Sequence, residues 1–335
     1  MTTITDVCKL ANVSKATVSR VLSGNRKVKD DTREVVMRAV EQLNYRPNQL
    51  AQSLATKVSN TIGVMTHGLD DMQLGKTIRQ LEAAFDKQNR SIILANHADN
   101  QASFLRKIAF LQSRHCDAIA VIGRQIPQAW LAELEIDTLP PLVTMQASIE
   151  ALPSVRYDQA LTAEMACNYL YSHGHTQIAA VLEPGAAGEQ VLQGYRRALE
   201  NRSLPFNKQM IIEQSDGANA VAILINRYTP FTAILVADDK QAVDVIHTLG
   251  QYNIKVPNEV SVLSLMTTKA GEHYSLPITG VEMPQDDMVH ALVGLVDSQL
   301  ENEGGQQKGA GGNHQSAPFI GRLVIRQSVK TLGVS

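Results

Sequence analysis

The sequence lacks any long apolar run. The longest of them, such as AIAVIG at 118–123 and AILVA at 233–237, are far below the roughly 20 residues that span a bilayer. The first residues, MTTITDVCKL, contain no basic region followed by an apolar run and a small-residue cleavage site, which excludes a typical secretory signal peptide. We therefore expect a cytoplasmic protein that does not contact a membrane.

Cysteine is scarce as well. Cys8, Cys116 and Cys167 are odd in number, widely spaced and without a CxxC pair. This pattern argues against a disulfide framework and against a zinc site. We expect the three cysteines to be reduced and to serve packing.

The familiar catalytic motifs are also missing. The sequence has no GxSxG, GxxxxGK[ST] or HExxH, and its nine histidines do not cluster at metal-ligand spacing. Asp238 and Asp239 are adjacent, and adjacent residues on a strand point to opposite sides, so we do not expect them to work as a pair. We predict that the protein is not an enzyme and has no catalytic residue, metal or cofactor.

Charge is distributed unevenly along the chain. Residues 1–60 contain ten Lys and Arg against five Asp and Glu, whereas the remainder contains 21 basic and 28 acidic residues. A basic front on an acidic body favours a polyanion as partner for the front alone. Scattered surface lysines would give a similar count, so charge by itself decides little.

The basic front has the pattern of a helix-turn-helix. Thr3 and Asp6 have capping-box spacing, and apolar residues then recur at helical intervals, which predicts a first helix over Ile4–Ala11. Asn12 tolerates the left-handed backbone of a tight turn, and Ser14 can cap a second helix over Lys15–Leu22. A second helix held across so short a turn is the geometry that fits a major groove.

The two faces of this second helix differ in polarity. Val18, Val21 and Leu22 form its apolar face, and the opposite face carries Lys15, Ala16, Ser19 and Arg20. A third helix is predicted at about 31–43, and five of its residues are expected to face a small three-helix core. These are Val35, Val36, Ala39, Val40 and Leu43.

From residue 61 onward, β-branched segments alternate with helical ones. This alternation predicts parallel sheets with right-handed crossovers, arranged as two lobes, with ligands bound beyond the carboxyl ends of the strands. We assign no chemistry to the Gly- and Gln-rich segment 301–317, which we interpret as a surface loop. The predicted strands are TIGVMT, SIILANH, CDAIAVIG, PLVTMQ, IAAVLE, MIIEQ, TAILVAD, VSVLSL, TGVEMP and RLVIRQS.

Several segments along the chain resemble the lactose and galactose repressor family, and they are more similar to its galactose-repressor branch. They are ITDVCKLANVSKATVSRVL, TRE, LNYRPNQLAQSLAT, RHCDAIAVIGRQIPQAWLAEL, SHGHTQIA, LQGYRRAL, VPNEVSVLSL and GRLVIRQSV. The resemblance covers essentially the whole chain. In the family, the SHGH segment with His173 and His175 is a structural turn, so we expect no metal there.

The resemblance implies an α/β protein with a three-helix DNA-binding headpiece, a hinge, and two doubly wound parallel-sheet lobes of periplasmic-binding-protein type. The expected headpiece is 1–46, the hinge helix and linker 47–60, and the effector-binding and dimerisation body 61–335. Within the body we expect lobe 1 at about 61–157 and 285–318, and lobe 2 at about 158–284 and 319–335.

By the same resemblance, Lys15, Ala16 and Arg20 occupy the positions that read base edges, and an arginine bidentate to guanine is the commonest such contact. Other residues are expected at the DNA backbone, where they position the domain. These are Ser14, Thr17, Ser19, Asn25 and Asn48. The hinge, too short to be stable as an isolated helix, is expected to enter the minor groove through Ala51, Leu54 and Ala55, with Leu54 as the wedge. An ordinary linker leucine is the alternative.

The effector cleft departs from its family. Asp71, Asp158 and Asp239 match the family pattern, and carboxylates suit the vicinal hydroxyls of a sugar. The usual aromatic pair is replaced by Gln73 and Leu74, and the usual arginine and aspartate by Val191 and Met266. Without the arginine and the aromatic platform, a plain pyranose would lose a charge-assisted contact and a stacking face. We therefore expect either an effector other than a plain sugar, such as a glycoside, or a protein that has lost sugar sensing.

These observations predict a repressor of a carbohydrate-utilisation operon that binds a pseudo-palindromic operator as a homodimer and is released by a small sugar-type effector. The chain as given ends at Ser335 without the heptad repeat that makes tetramers, which favours the dimer. The alternative from another class is a sugar-binding or sugar-metabolising module with incidental, sequence-blind affinity for nucleic acid.

Overall fold

The computed structural model of the chain describes residues 2–22, 28–45, 58–68, 72–98, 100–123, 126–146, 152–304 and 317–333. The chain divides into two compact units, Met1–Asn60 and Thr61–Ser335. No helix within the described ranges is long and apolar enough to cross a bilayer.

The first unit contains the predicted helices α1 (Ile4–Ala11), α2 (Lys15–Leu22) and α3 (Asp30–Gln42). The Asp6 carboxylate accepts hydrogen bonds from the Thr3 amide at 2.9 Å and from the Thr3 hydroxyl at 2.8 Å. These bonds lower the pKa of Asp6. Asn12 has the left-handed conformation, with φ 50°, and ends α1. The predicted bounds of α1 and α2 are confirmed.

A small apolar cluster fills the space between these three helices. The prediction for α3 was wrong at one position, because Val36 and Ala39 are buried whereas Val35 is 43% exposed. Two short partner helices cover only a narrow stripe of α3, and Val35 lies about 100° around the helix from Val36, at the edge of that stripe. The buried cluster comprises Val7, Ala11, Val18, Val21, Val36 and Ala39.

The second unit contains two sheets. The first has the strand order β2-β1-β3-β4-β5 and is parallel throughout. Its strands are β1 (Thr61–His67), β2 (Ser91–His97), β3 (Ala118–Ile122), β4 (Leu142–Met145) and β5 (Ser154–Val155). The helices between them are α4 (Met72–Asp86), α5 (Gln101–Ser113) and α6 (Gln128–Leu131). The sequence pattern missed β5, because two residues carry no periodicity.

The second sheet has the order β11-β10-β9-β8-β6-β7. Its strands are β6 (Ile178–Leu182), β7 (Ile211–Glu213), β8 (Ala233–Val236), β9 (Ser261–Ser264), β10 (Gly280–Glu282) and β11 (Arg322–Val324). Its helices are α7 (Gln159–Ser172), α8 (Ala186–Glu200), α9 (Gly217–Asn226) and α10 (Asp239–Gln251). All pairs are parallel except β10 with β11, which is antiparallel.

The antiparallel strand corrects the expectation of wholly parallel sheets. Helix α11 (Gln285–Gly304) follows β10 and packs against the core of the first sheet, so the chain must then return to reach β11. On its way back Phe319 forms a parallel bridge with Tyr157, the residue that follows Arg156 on the outward crossing from β5 to α7. The returning chain therefore enters the second sheet at the carboxyl end of β10 and runs against it.

Both sheets are covered on two faces, and strands β3 and β6 are buried along their whole length. This is why their sequences are continuous apolar runs. Cys116 and Cys167 lie in these cores and Cys8 is half-buried; none of the three forms a disulfide. Burial raises the pKa of the Cys116 thiol to about 11.

Candidate DNA-reading helix and effector cleft

Helix α2 combines a buried stripe with an exposed polar face. Val18 and Val21 are buried in the core of the first unit, which fixes the rotation of the helix about its axis. Four exposed side chains then share the opposite face, as two pairs four residues apart. These are Lys15, Ala16, Ser19 and Arg20.

The start of α2 is fixed by its own hydroxyls. The Ser14 hydroxyl accepts a hydrogen bond from the Thr17 amide at 3.2 Å and lies 2.9 Å from the Thr17 hydroxyl. The first turn contains no acidic residue, so the positive end of the helix and the side chain of Lys15 meet no opposing charge from that turn. Such an end suits a phosphate group.

The carboxyl end of β8 leads directly into α10, where two adjacent carboxylates have separate roles. Asp238 caps the helix and accepts from the Gln241 amide at 2.7 Å. Asp239 is the first residue of the helix and is buried. The prediction that the pair lies on a strand was wrong, because β8 already ends at Val236. The two still do not form a dyad.

Asp239 is bound by the loop that follows β9. One of its carboxylate oxygens, Oδ2, accepts from the Thr268 amide at 2.8 Å and from the Thr268 hydroxyl at 3.1 Å. The other oxygen, Oδ1, is buried and accepts no hydrogen bond from the described residues. Asp239 therefore stabilises the loop with one oxygen and has acceptor capacity left on the other.

An arginine from the end of the chain supports the same loop. Arg326 donates to the Thr267 hydroxyl at 2.7 Å and to the Thr268 carbonyl at 3.1 Å. At Gly271 any Cβ would lie 2.8 Å from Asp239 Oδ2, so only glycine lets the loop close over the carboxylate. Sequence reasoning missed Thr268 and Arg326, because each matters only through a partner distant in sequence.

An aromatic ring stands beside these carboxylates. The pKa of Tyr274 is raised, first by burial and then by the negative charges of Asp239 and Asp238. Its side chain is nevertheless 37% exposed. A partly exposed ring beside carboxylates is a common arrangement for holding a ligand with both an apolar face and polar groups.

Asp158 lies where the chain crosses from the first sheet to the second. It caps α7 by accepting from the Leu161 amide at 2.8 Å, and its own amide donates to the Phe319 carbonyl at 2.8 Å. This backbone hydrogen bond connects the two segments that cross between the sheets, one at Asp158 and the other at Phe319. No hydrogen bond among the described residues links Asp158 to Asp239, which begins helix α10.

Three of the positions that depart from the family pattern make apolar contacts in the structure. Val191 on α8 packs against a core cluster of the second sheet, and Met266, after β9, packs against a cluster of the first. Leu74 is buried in that first cluster. Gln73 lies on α4. Val191, Met266 and Leu74 therefore have packing contacts that do not depend on a ligand.

The carboxyl ends of the first sheet carry two histidines in register. His67 on β1 and His97 on β2 have ring centroids 5.5 Å apart, and His97 also contacts Phe104 and Trp130. At the end of β4, the Gln146 amide donates to the Met283 sulfur at 2.8 Å. The described side chains at this edge thus include two imidazoles and a carboxamide.

Some predicted site residues lie outside the described part of the chain, namely Asn25, Asn48, Ala51, Leu54, Ala55 and Asp71. Within the described ranges there is no group of three or more His, Cys, Asp or Glu side chains placed to hold a metal ion.

The two histidines of SHGH lie at a turn. His175 is buried, with Nδ1 3.0 Å from the Thr232 hydroxyl and Nε2 3.0 Å from the Lys330 carbonyl. Burial lowers the pKa of His175. Gly174 between them has φ +86°, a backbone conformation that favours glycine. The segment follows α7, and the hydrogen bonds of His175 connect it to Thr232, just before β8, and to Lys330.

Comparison with known proteins agrees with both parts of this architecture. The family described as bacterial regulatory proteins, lacI family, matches residues 3–48, and the periplasmic binding protein-like domain matches residues 167–329. Catabolite control protein A of Priestia megaterium is 32% identical over 311 residues, covering 90% of this chain and 93% of that protein. The chain belongs to the lacI family. It is a DNA-binding transcriptional regulator with a small-molecule effector.

Other relatives match the chain over nearly its full length. The transcriptional regulator AscG of Escherichia coli is 28% identical, covering 98% of both chains. A structure of the lac repressor dimer, bound to operator and an anti-inducer, has a TM-score of 0.85 at 23% identity, covering 98% of this chain and 99% of that one. The predicted fold class, a helix-turn-helix unit followed by two doubly wound lobes, is confirmed.

Proposed function

We propose that this regulator is a repressor of carbohydrate-utilisation genes that acts in the cytoplasm as a homodimer on a pseudo-palindromic operator. The observation that carries this proposal is the exposed polar face of α2, fixed by the buried Val18 and Val21. The proposed organisation is a headpiece at 1–46, a hinge at 47–60 and a body at 61–335, with the two lobe boundaries given above. No catalytic step is part of it.

In this proposal Arg20 reads a guanine with two hydrogen bonds, and Lys15 and Ala16 contact neighbouring base edges. Other residues position the headpiece through phosphates. These are Ser14, Thr17, Ser19, Asn25 and Asn48. The Ser14 and Thr17 hydroxyls lie 2.9 Å apart, so one of them donates to the other and the remaining hydroxyl hydrogen is the atom available to a phosphate oxygen.

The hinge couples DNA to effector. Ala51, Leu54 and Ala55 are proposed to enter the minor groove, with Leu54 between base steps. An effector that changes the angle between the lobes would separate the hinges of the dimer and weaken these contacts. Thermodynamic linkage then requires that operator binding lower the affinity of the protein for the effector by the same factor.

The proposed effector is a sugar derivative, such as a glycoside, bound at the carboxyl ends of the sheets. Asp239 Oδ1 and the Tyr274 ring support this, since one offers an acceptor and the other an apolar face. Asp71, Asp158 and Gln73 are further candidates. The core contacts of Val191 and Met266 favour the second candidate, a repressor that no longer senses a sugar.

Binding-site selection on random DNA tests the operator proposal. A two-fold symmetric consensus that binds one dimer is expected, and sequence-blind binding that vanishes with moderate salt would contradict it. Calorimetry against plain sugars, phosphorylated sugars and glycosides tests the effector. Millimolar or tighter binding of galactose, undiminished in Asp239→Ala, would overturn the proposed role of Asp239. Asp239→Asn, which keeps an acceptor for Thr268, is the matched control for loop stability.

A further inference from the structure

The crossing from the first sheet to the second carries an arginine that the sequence analysis did not single out. Arg156 follows β5 directly, at the carboxyl end of that strand. Its neighbours Val155 and Tyr157 both contact the apolar cluster beneath one face of the first sheet. Side chains alternate along extended backbone, so the side chain of Arg156 leaves the crossing on the opposite side.

Arg156 is half-buried, and its Nε is buried without a hydrogen-bond partner. Within the described ranges, no carboxylate forms an ion pair with it and no other group accepts from its guanidinium. Other partly buried arginines of the second unit are paired: Arg90 with Asp297, and Arg326 with hydroxyl and carbonyl oxygens. An arginine is always charged and carries five N–H donors, and a donor that is buried without an acceptor is unfavourable.

A second unpartnered polar atom lies on the next turn of chain. Gln159 begins α7, and its side-chain Oε1 is buried and receives no hydrogen bond from the described part of the chain. Asp158 between them is already engaged with the Leu161 amide. The crossing thus offers a guanidinium and a carboxamide that no group in the described ranges engages, at the edge of the sheet where ligands of such folds bind.

We infer that Arg156 binds a carboxylate or phosphate group of the effector, which is therefore an anionic sugar derivative. This inference rests on the proposed function, in which the body binds a sugar-type molecule. A guanidinium presents paired N–H groups that match the oxygens of either anion. The anionic group would lie against Arg156, with Gln159 hydrogen-bonded to a neighbouring hydroxyl.

The test is a thermal-shift and calorimetric screen of the full-length protein. The probes are neutral sugars and glycosides, sugar acids such as glucuronate, sugar phosphates such as glucose 6-phosphate, and inorganic phosphate. The tightest ligand is expected to be a sugar acid or a sugar phosphate. Arg156→Gln should weaken it about tenfold to a hundredfold and leave neutral sugars unchanged. Arg322→Gln, which removes an exposed arginine paired with Glu282, is the matched control.

A structural role for Arg156 gives a different result. If Arg156 served the fold, Arg156→Gln would lower the melting temperature of the ligand-free protein, whereas an unpartnered charge predicts an equal or higher one. Arg156→Lys keeps the charge without the paired N–H groups and should recover part of the affinity, which also provides a test if the Gln variant does not fold.

Several outcomes would overturn the inference. They are a tightest ligand that is neutral and insensitive to Arg156→Gln, inorganic phosphate binding as tightly as any sugar phosphate, and no stabilisation by any probe. In the first case the proposed sugar-responsive repressor still stands. Failure of the proposed function would be seen separately, as the absence of a two-fold symmetric site in DNA selection with the ligand-free protein.

Discussion

The first unit and the second unit place their functional groups in opposite ways. In the first, the candidate base-reading residues lie on one eight-residue helix, α2. In the second, the groups around Asp239 come from Thr268 and Arg326, up to 87 positions further along the chain. A site on one helix follows from local periodicity, whereas a site between strand ends depends on how the sheet is assembled. The same chain therefore has one site that its sequence describes well and one that it describes poorly.

The cores differ in the same way. Among the described residues, the first unit has one cluster of six buried residues, whereas the second has apolar clusters on both faces of both sheets. Small units bury a smaller share of their surface and are less stable. Substitutions in the first unit should therefore remove DNA binding readily while leaving the second unit folded.

The largest effect is expected at the exposed face of α2. Arg20→Ala should cost about 1–3 kcal/mol of operator affinity per half-site and abolish sequence preference, because a bidentate base contact is lost. Nonspecific binding at low salt should change less. Footprinting and salt-dependent affinity measure both effects.

Arg38→Ala is the matched control, since it removes an equal charge from an exposed pair with Glu34 on α3. Coincident footprints of wild type and Arg20→Ala at equal occupancy would show that Arg20 does not read bases.

The next largest effect is a difference in stability between substitutions at two neighbouring valines of α3. Val36→Ala should destabilise the first unit by about 2 kcal/mol, because two buried methyl groups are lost. Val35→Ala should be nearly neutral, since Val35 is exposed. Thermal melts followed separately for the two units, together with operator affinity, give the comparison. Equal losses in the two variants would mean that α3 packs with Val35 inward, as the sequence analysis expected.

A smaller effect is expected at the hinge. Leu54→Ala should reduce operator bending and lower affinity by about 1 kcal/mol, because a smaller side chain cannot hold a base step open. The melt of the second unit should not change. Circular-permutation gel assays measure the bend, with Gln52→Ala as a neighbouring control. An unchanged bend would favour the linker interpretation of Leu54.

The smallest effect concerns pH and the second unit alone. The pKa of His175 lies below its ordinary value of about 6.5, so the unfolded chain takes up a proton at a higher pH than the folded protein does. The free energy of unfolding should therefore decrease as the pH falls below about 6.5, and no further once the folded pKa is passed. Denaturant titrations between pH 8 and pH 5 of wild type and His175→Gln measure it. Parallel pH profiles would exclude the effect.

The sequence alone determined the features that rest on neighbours in the chain. The bounds of α1 and α2, the left-handed Asn12 and the Ser14 cap follow from residues within four positions of each other, because helix capping and helical periodicity are local. Ten of the strands were predicted from apolar, β-branched segments, which are most continuous in strands buried on both faces, such as β3 and β6. The helix-turn-helix and the two-lobed fold were therefore predictable.

Only the tertiary structure decided the features that depend on contacts between residues distant in sequence. It reversed β11, because the chain returns from the first sheet before pairing with β10. It exposed Val35, buried Asp239 under the loop of Thr268, and left Arg156 Nε on the crossing without an acceptor among the described residues. Residue type and spacing cannot fix these outcomes, since each depends on which distant groups the folded chain brings within hydrogen-bonding or packing distance.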